Sequence, residues 1–257
     1  MSARTQARAA GCPARPMRGR VPAACVAIAM AVTIAPAHAT ACEARDLAFG
    51  RTASGWAPQS FSRLKRDTTY TVVREDGRAV LRATADRAAS LYVAKLDRPI
   101  SAPRSIEWRW STSGPVPGAD NRERSREDAP LRVIVAFDGD PATLPDAERK
   151  RFERARKLSG RTPPFATLMY VWTDTVPVDT VIPSAHTGRL QMMVAAPAAA
   201  AVGAWQTVRR DLAADYRAAF GTEPGRVLAV GVMTDTDNTG TKAEGRYADL
   251  RLGCAAD

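Results

Sequence analysis

Val227-Leu-Ala-Val-Gly-Val-Met233 runs directly into Thr234-Asp-Thr-Asp-Asn-Thr-Gly240. The first seven residues are apolar at odd and even positions alike, so as a strand they must be covered on both faces, and they predict a central strand of a sheet. The polar residues that follow favour a turn, because Asp, Asn and Thr side chains bond to nearby backbone amides. Asp235, Asp237 and Asn238 are therefore expected at the rim of that sheet.

Working outward from this strand, period-two alternation recurs over residues 70–75, 79–85, 91–96, 105–110, 131–137, 167–173, 189–195 and 246–252. Turn residues such as Asp76-Gly77 separate them. Many strands with few helices predict an all-β sandwich or barrel. Two short helices interrupt the pattern. Residues 146–158 follow Pro145 and are strongly basic, with an apolar stripe of Phe152, Ala155 and Leu158; residues 212–220 begin after Asp211 as N-cap and stop at Gly221. The charged loop 120–128 is expected to be mobile and solvated. Strict alternation places Ala248, Leu250 and Leu252 on a core face and Tyr247, Asp249 and Arg251 on the opposite one. It likewise sets Val133, Val135 and Phe137 against Arg132, Ile134 and Ala136, and turns Trp108 and Trp110 inward with Glu107 and Arg109 outward.

The chain ends bear on compartment. Residues 1–39 carry Arg4, Arg8, Arg15, Arg18 and Arg20 with no acid, then the apolar residues 21–35, then Ala37-His38-Ala39. This is the layout of a cleaved signal peptide, leaving residues 40–257 as a single domain in the periplasm or secreted. The apolar run is shorter than the roughly 20 residues that a spanning helix needs, and nothing later approaches that length. Removing the signal leaves Cys42 and Cys254, which an oxidising compartment is expected to join as a disulfide.

The 37 basic residues fall to 32 without the five signal arginines, against 27 acidic ones. So modest an excess is compatible with an acidic envelope polymer as partner. Nucleic acid is not expected, since basic and aromatic residues do not interleave as a stacking surface, and the domain is expected to be monomeric.

Catalytic provision is thin. One histidine, His186, remains after residue 39, so a zinc centre built on several histidines or cysteines is excluded by count. Carboxylate pairs exist, notably Asp138 with Asp140 and Glu107 with Asp249, and they keep a polysaccharide hydrolase or lyase open as an alternative. The acids of the 235–240 turn are spaced as hard-cation ligands, but the position that a helical calcium loop fills with glutamate is Arg246. Asp235 and Asp237, joined by Asp249 from the next strand, form the candidate calcium set. Aromatic and planar polar side chains suited to a sugar add Arg109, Arg132, Trp172, Tyr247 and Asn238 as candidate ligand contacts.

Three stretches, taken in order, carry a family likeness: Tyr170-Val171-Trp172 with Pro177 and Ile182-Pro183-Ser184; Trp205 with Asp215-Tyr216-Arg217 and Phe220-Gly221; and Met233 to Gly240 followed by Tyr247-Ala248-Asp249. They resemble the bacterial family catalogued as the domain of unknown function 3047. The resemblance implies an exported jelly-roll, galactose-binding-like sandwich similar to carbohydrate-binding modules, and it supplies no catalytic residues. The leading expectation is thus an envelope protein that binds a glycan or another polar ligand without catalysis. A structural or assembly role in the envelope is a further alternative.

Overall fold

The computed structural model describes residues 44–51, 55–100 and 105–253. The strands are β1 (Arg45–Asp46), β2 (Trp56–Ser60), β3 (Thr69–Glu75), β4 (Arg78–Asp86), β5 (Ser90–Ile100), β6 (Ser105–Thr112), β7 (Ala129–Phe137), β8 (Ala166–Val171), β9 (Val181–Pro183), β10 (Leu190–Val194), β11 (Gln206–Asp211), β12 (Val227–Asp235) and β13 (Lys242–Gly253). Helix α1 (Asp146–Ser159) lies between β7 and β8, and α2 (Leu212–Phe220) between β11 and β12.

A first sheet has the order β11-β6-β13-β4-β3, with β1 also on β13; a second has the order β2-β5-β12-β7-β8-β10-β9. Eight of these strands form one long antiparallel ribbon with the rungs β4:β13, β5:β12, β6:β11 and β7:β8. Successive rungs fall alternately in the first and second sheets, and the rolling brings β13 against β6 and β12 against β7. This connectivity is a jelly roll, the sandwich that the alternation and the family likeness led one to expect. The apolar strand β12 is indeed central, paired with β5 and β7.

Between the sheets lies the main core. Ile106, Trp108 and Trp110 of β6 and Leu250 and Leu252 of β13 meet Val133, Val135 and Phe137 of β7 and Leu168 and Tyr170 of β8. Trp108 packs edge-on to Trp110 at 5.2 Å and reaches Tyr170 of the facing sheet at 5.1 Å.

Three expectations need correction. First, Tyr247 is buried rather than outward with Asp249 and Arg251. The β13–β6 register shifts between Ala248 and Arg251, and Asp249 takes φ 52°. This extra residue is a bulge, and it reverses side-chain parity, so that Tyr247 before it and Leu250 after it both serve the core. Second, the outer face of the second sheet is not polar near Arg132. Ile134, Met169, Val171, Met192, Val194 and Met233 form a second buried cluster there, with Ile182 packed among them. Third, the 120–128 loop is solvated over residues 122–126 but tied down at both ends. Asp120, Asn121 and Asp128 are buried, the Asn121 amide donates to the Asp128 carbonyl at 3.1 Å, and Arg122 donates twice to Asp120 at 2.9 and 2.7 Å. Hydrogen bonds from Arg122 hold the Asp120 carboxyl down at about 2. Cys42 and Cys254 lie outside the described residues.

One close approach sets how the sheets meet at the rim. A Cβ on Gly245 of β13 would stand 2.5 Å from the Pro130 carbonyl oxygen and 2.6 Å from Thr234 Oγ1. Glycine alone lets β13 approach the ends of β7 and β12 here. Gly245→Ala is expected to cost about 1–3 kcal/mol through overpacking, measured as a fall in the denaturant midpoint at unchanged slope.

Candidate functional site

At the end of β12 the pairing with β7 slips between Met233 and Asp235, which disturbs the regular ladder there. Side chains satisfy the local backbone groups. Asp235 accepts the Ala129 amide at 3.1 Å. The Tyr247 hydroxyl donates to the Met233 carbonyl at 2.6 Å and accepts the Arg132 amide at 3.2 Å. Thr234 Oγ1 donates to the Pro130 carbonyl at 2.8 Å. Tyr247 belongs to the first sheet, so its phenol joins the two sheets at this corner.

Arg132 and Asp235, 1% and 2% exposed, form a two-pronged ion pair, Nε to Oδ1 at 2.8 Å and Nη2 to Oδ2 at 3.2 Å. Nη2 also donates to the Glu127 carbonyl at 2.8 Å, and Nη1 rests against the sulfurs of Met169 at 2.9 Å and Met192 at 3.3 Å. Burial pushes the Asp235 carboxyl up to about 7, and the guanidinium pulls against it. A carboxyl so enclosed cannot reach a substrate. Arg132, Tyr247 and Trp172, whose indole N–H donates to the Ala198 carbonyl at 3.0 Å, are buried and bonded within the protein.

The candidate cation set is only partly assembled. Asp235 and Asp237 come together with Asp128, each offering an oxygen within 4.8 Å of the others. Asp128 escaped the sequence reading, because only the β7–β12 register, with Ala129 opposite Asp235, reveals its proximity. Each of these acids has its own donor: Arg132 on Asp235, Lys65 on Asp237, and the Thr239 amide and hydroxyl on Asp128, both at 2.7 Å. Asn238 donates from its side chain to the Glu127 carbonyl at 3.3 Å. Asp249 belongs elsewhere, on the outer face of the first sheet, between Arg78 and Arg109 at 3.5 Å each.

That outer face is open and polar. Glu107 takes Arg209 at 2.8 Å and Arg251 at 2.7 Å, while Arg246 bridges Glu75 at 3.3 Å and Ser111 Oγ at 3.0 Å. Trp205, immediately before β11, is partly exposed, and the guanidinium carbons of Arg109 and Arg246 lie 5.2 and 5.1 Å from its ring centre. Sequence reading found Arg109 but did not place Trp205 or Arg246 in the site, since their meeting depends on the order β11-β6-β13.

Elsewhere, an open cleft of about 530 Å³ separates α1 from the β8–β10 side, with exposed His186 and Arg151 and half-buried Phe152 and Arg189 in its lining. Glu148 is held there by Thr187 at 2.6 Å, a hydrogen bond that lowers its carboxyl. Of the carboxylate pairs, Asp138 is bound and lowered by Arg226, and Asp140 accepts the Ala142 amide at 2.8 Å.

Removing one member of the rim pair leaves a buried charge alone. Asp235→Ala is expected to destabilise by about 3–5 kcal/mol, while replacement of both members with Arg132→Met and Asp235→Leu costs less than the single change. Urea denaturation of the three variants measures both.

Comparison with known proteins adds the following. Solved structures that resemble the fold include the family 11 carbohydrate-binding module of the cellulosomal cellulase Lic26A-Cel5E of Clostridium thermocellum, 8% identical, TM-score 0.42, covering 85% of this chain and 98% of that one. A family 11 module from Clostridium thermocellum in complex with a β-1,3-1,4-mixed-linked tetrasaccharide has 8% identity and TM-score 0.41, covering 85% and 99%. The cellulose induced protein Cip1 has 9% identity and TM-score 0.34, covering 83% and 97%. No curated protein matches the chain. The model of one family, described as protein of unknown function DUF3047, matches residues 54–251. Extending as it does over nearly the whole described sandwich, that match means that the chain belongs to the DUF3047 family.

Proposed function

We propose that the protein is an exported envelope component that binds a glycan, or a similarly hydroxyl-rich ligand, on the outer face of the first sheet. The observation that carries this reading is the partly exposed Trp205 ring beside Arg109 and Arg246. An indole offers a flat apolar surface to the C–H face of a pyranose, and guanidinium groups donate in a plane to neighbouring hydroxyls. Glu75, Glu107 and Asp249 on the same face add acceptors. The pairing of these carboxylates with arginines supports a reading of binding without chemistry.

Export rests on the arginine-rich start, the apolar residues 21–35 and Ala37-His38-Ala39. A disulfide between Cys42 and Cys254 rests on their being the two cysteines after residue 39 and on an oxidising compartment. Intact mass of the exported protein is expected to show a start at Thr40 and no free thiol.

Calorimetric titration with neutral and acidic polysaccharides, with and without calcium, tests the binding reading. Trp205→Ala is expected to weaken binding roughly tenfold or more, equivalent to about 1.4 kcal/mol, with the unfolding midpoint little changed. Calcium dependence of affinity would extend the site to the rim acids. Absence of any ligand across the panel, or full affinity in Trp205→Ala, would overturn the proposal.

A further inference from the structure

The connection from β2 to β3 passes between edge strands of opposite sheets through Phe61-Ser62-Arg63-Leu64-Lys65-Arg66-Asp67, all of them exposed. Leu64 is 98% exposed and Phe61 48%. Single exposed apolar residues are ordinary, but here two stand three positions apart on a loop whose base is fixed. The Thr68 amide donates to the Ser90 hydroxyl at 3.0 Å, and the Thr68 hydroxyl donates to the Thr234 carbonyl at 2.8 Å. The Arg66 carbonyl accepts the Ala89 amide at 2.9 Å. Lys65 pairs with Asp237 of the neighbouring turn. Leu64 therefore stands in water and Phe61 about half so.

Basic side chains outnumber acidic ones at this edge. Arg66, Arg87 and Lys242 share the carboxylate of Asp86, at 3.9, 3.4 and 3.2 Å, and Arg63 and Lys65 stand in the loop against Asp67 and Asp237. Two apolar side chains amid cations are too little for a stable protein interface, which buries about 800 Å² per partner. They suit a bilayer surface, where shallow apolar side chains enter the headgroup–acyl boundary and a basic collar meets anionic lipid.

We propose that the loop 61–66 is a docking element for an anionic phospholipid surface, with Phe61 and Leu64 entering the interface and Arg63, Arg66, Arg87 and Lys242 facing lipid phosphates. This element is separate from the Trp205 face and independent of its ligand.

Co-sedimentation of the protein with vesicles of phosphatidylcholine alone, and of equimolar phosphatidylcholine and phosphatidylglycerol, tests it. Binding is expected only to the second and is expected to weaken as salt rises. The pair of changes Phe61→Ser and Leu64→Ser should reduce it roughly tenfold or more, and Arg63→Glu with Lys242→Glu should also reduce it, with thermal unfolding unaltered. In a Leu64→Trp variant, a blue shift and quenching by brominated lipid read insertion at the loop itself, independently of the apolar residues 21–35. Equal sedimentation of the serine variant and the unchanged protein, or an unmoved Leu64→Trp emission on anionic vesicles, would overturn the proposal.

Discussion

The buried pair between Arg132 and Asp235 constrains everything around the rim. Two ionic side chains taken out of water require close pairing and partners for their remaining hydrogen-bonding groups. Here those partners come from several segments: the Ala129 amide, the Glu127 carbonyl and the sulfurs of Met169 and Met192. The pair therefore positions the end of β12, the start of β7 and the segment leading into β7 at once. Tyr247 adds the first sheet to the same corner through its bonds to Met233 and Arg132. Gly245 keeps the sheets close enough for that phenol to reach.

A consequence is a division of labour between the two sheets. The second sheet has apolar clusters on both faces, one between the sheets and one around Ile134, Met169 and Met192. Arg132 belongs to the latter, and its charge is spent inside the protein. The first sheet has a single core face, and its other side is a lattice of exposed and half-buried arginines and carboxylates. Exposed ion pairs of this sort add little stability, typically under about 1 kcal/mol each. Trp205 is an aromatic side chain placed among them.

Much of the architecture was legible because strand periodicity and burial have the same cause: a side chain every second residue must face either the core or water. The inward tryptophans of β6 and the two-sided apolarity of β12 could be read in this way, and α1 and α2 were marked by Pro145, Asp211 and Gly221. Parity failed at Tyr247, because a single extra residue at the Ala248–Asp249 bulge flips every side chain beyond it and leaves no compositional trace. It failed in meaning at Arg132 as well. The side chain points where alternation puts it, but that face is covered by the Met-rich cluster instead of by water.

The sequence by itself determined an all-β chain with a central β12, a polar turn after it, and a family whose model spans that turn. These follow from local chemistry, namely side-chain alternation, turn-forming residues and the order of motifs. Only the tertiary structure decided which polar residues meet. Asp235 joins Arg132 and Asp128 instead of Asp249, and Trp205 meets Arg109 and Arg246, because rolling the ribbon brings β6 against β13 and β7 against β12. Contacts between residues so far apart in the chain depend on strand order and register, and neither is encoded in the spacing of the residues that make them.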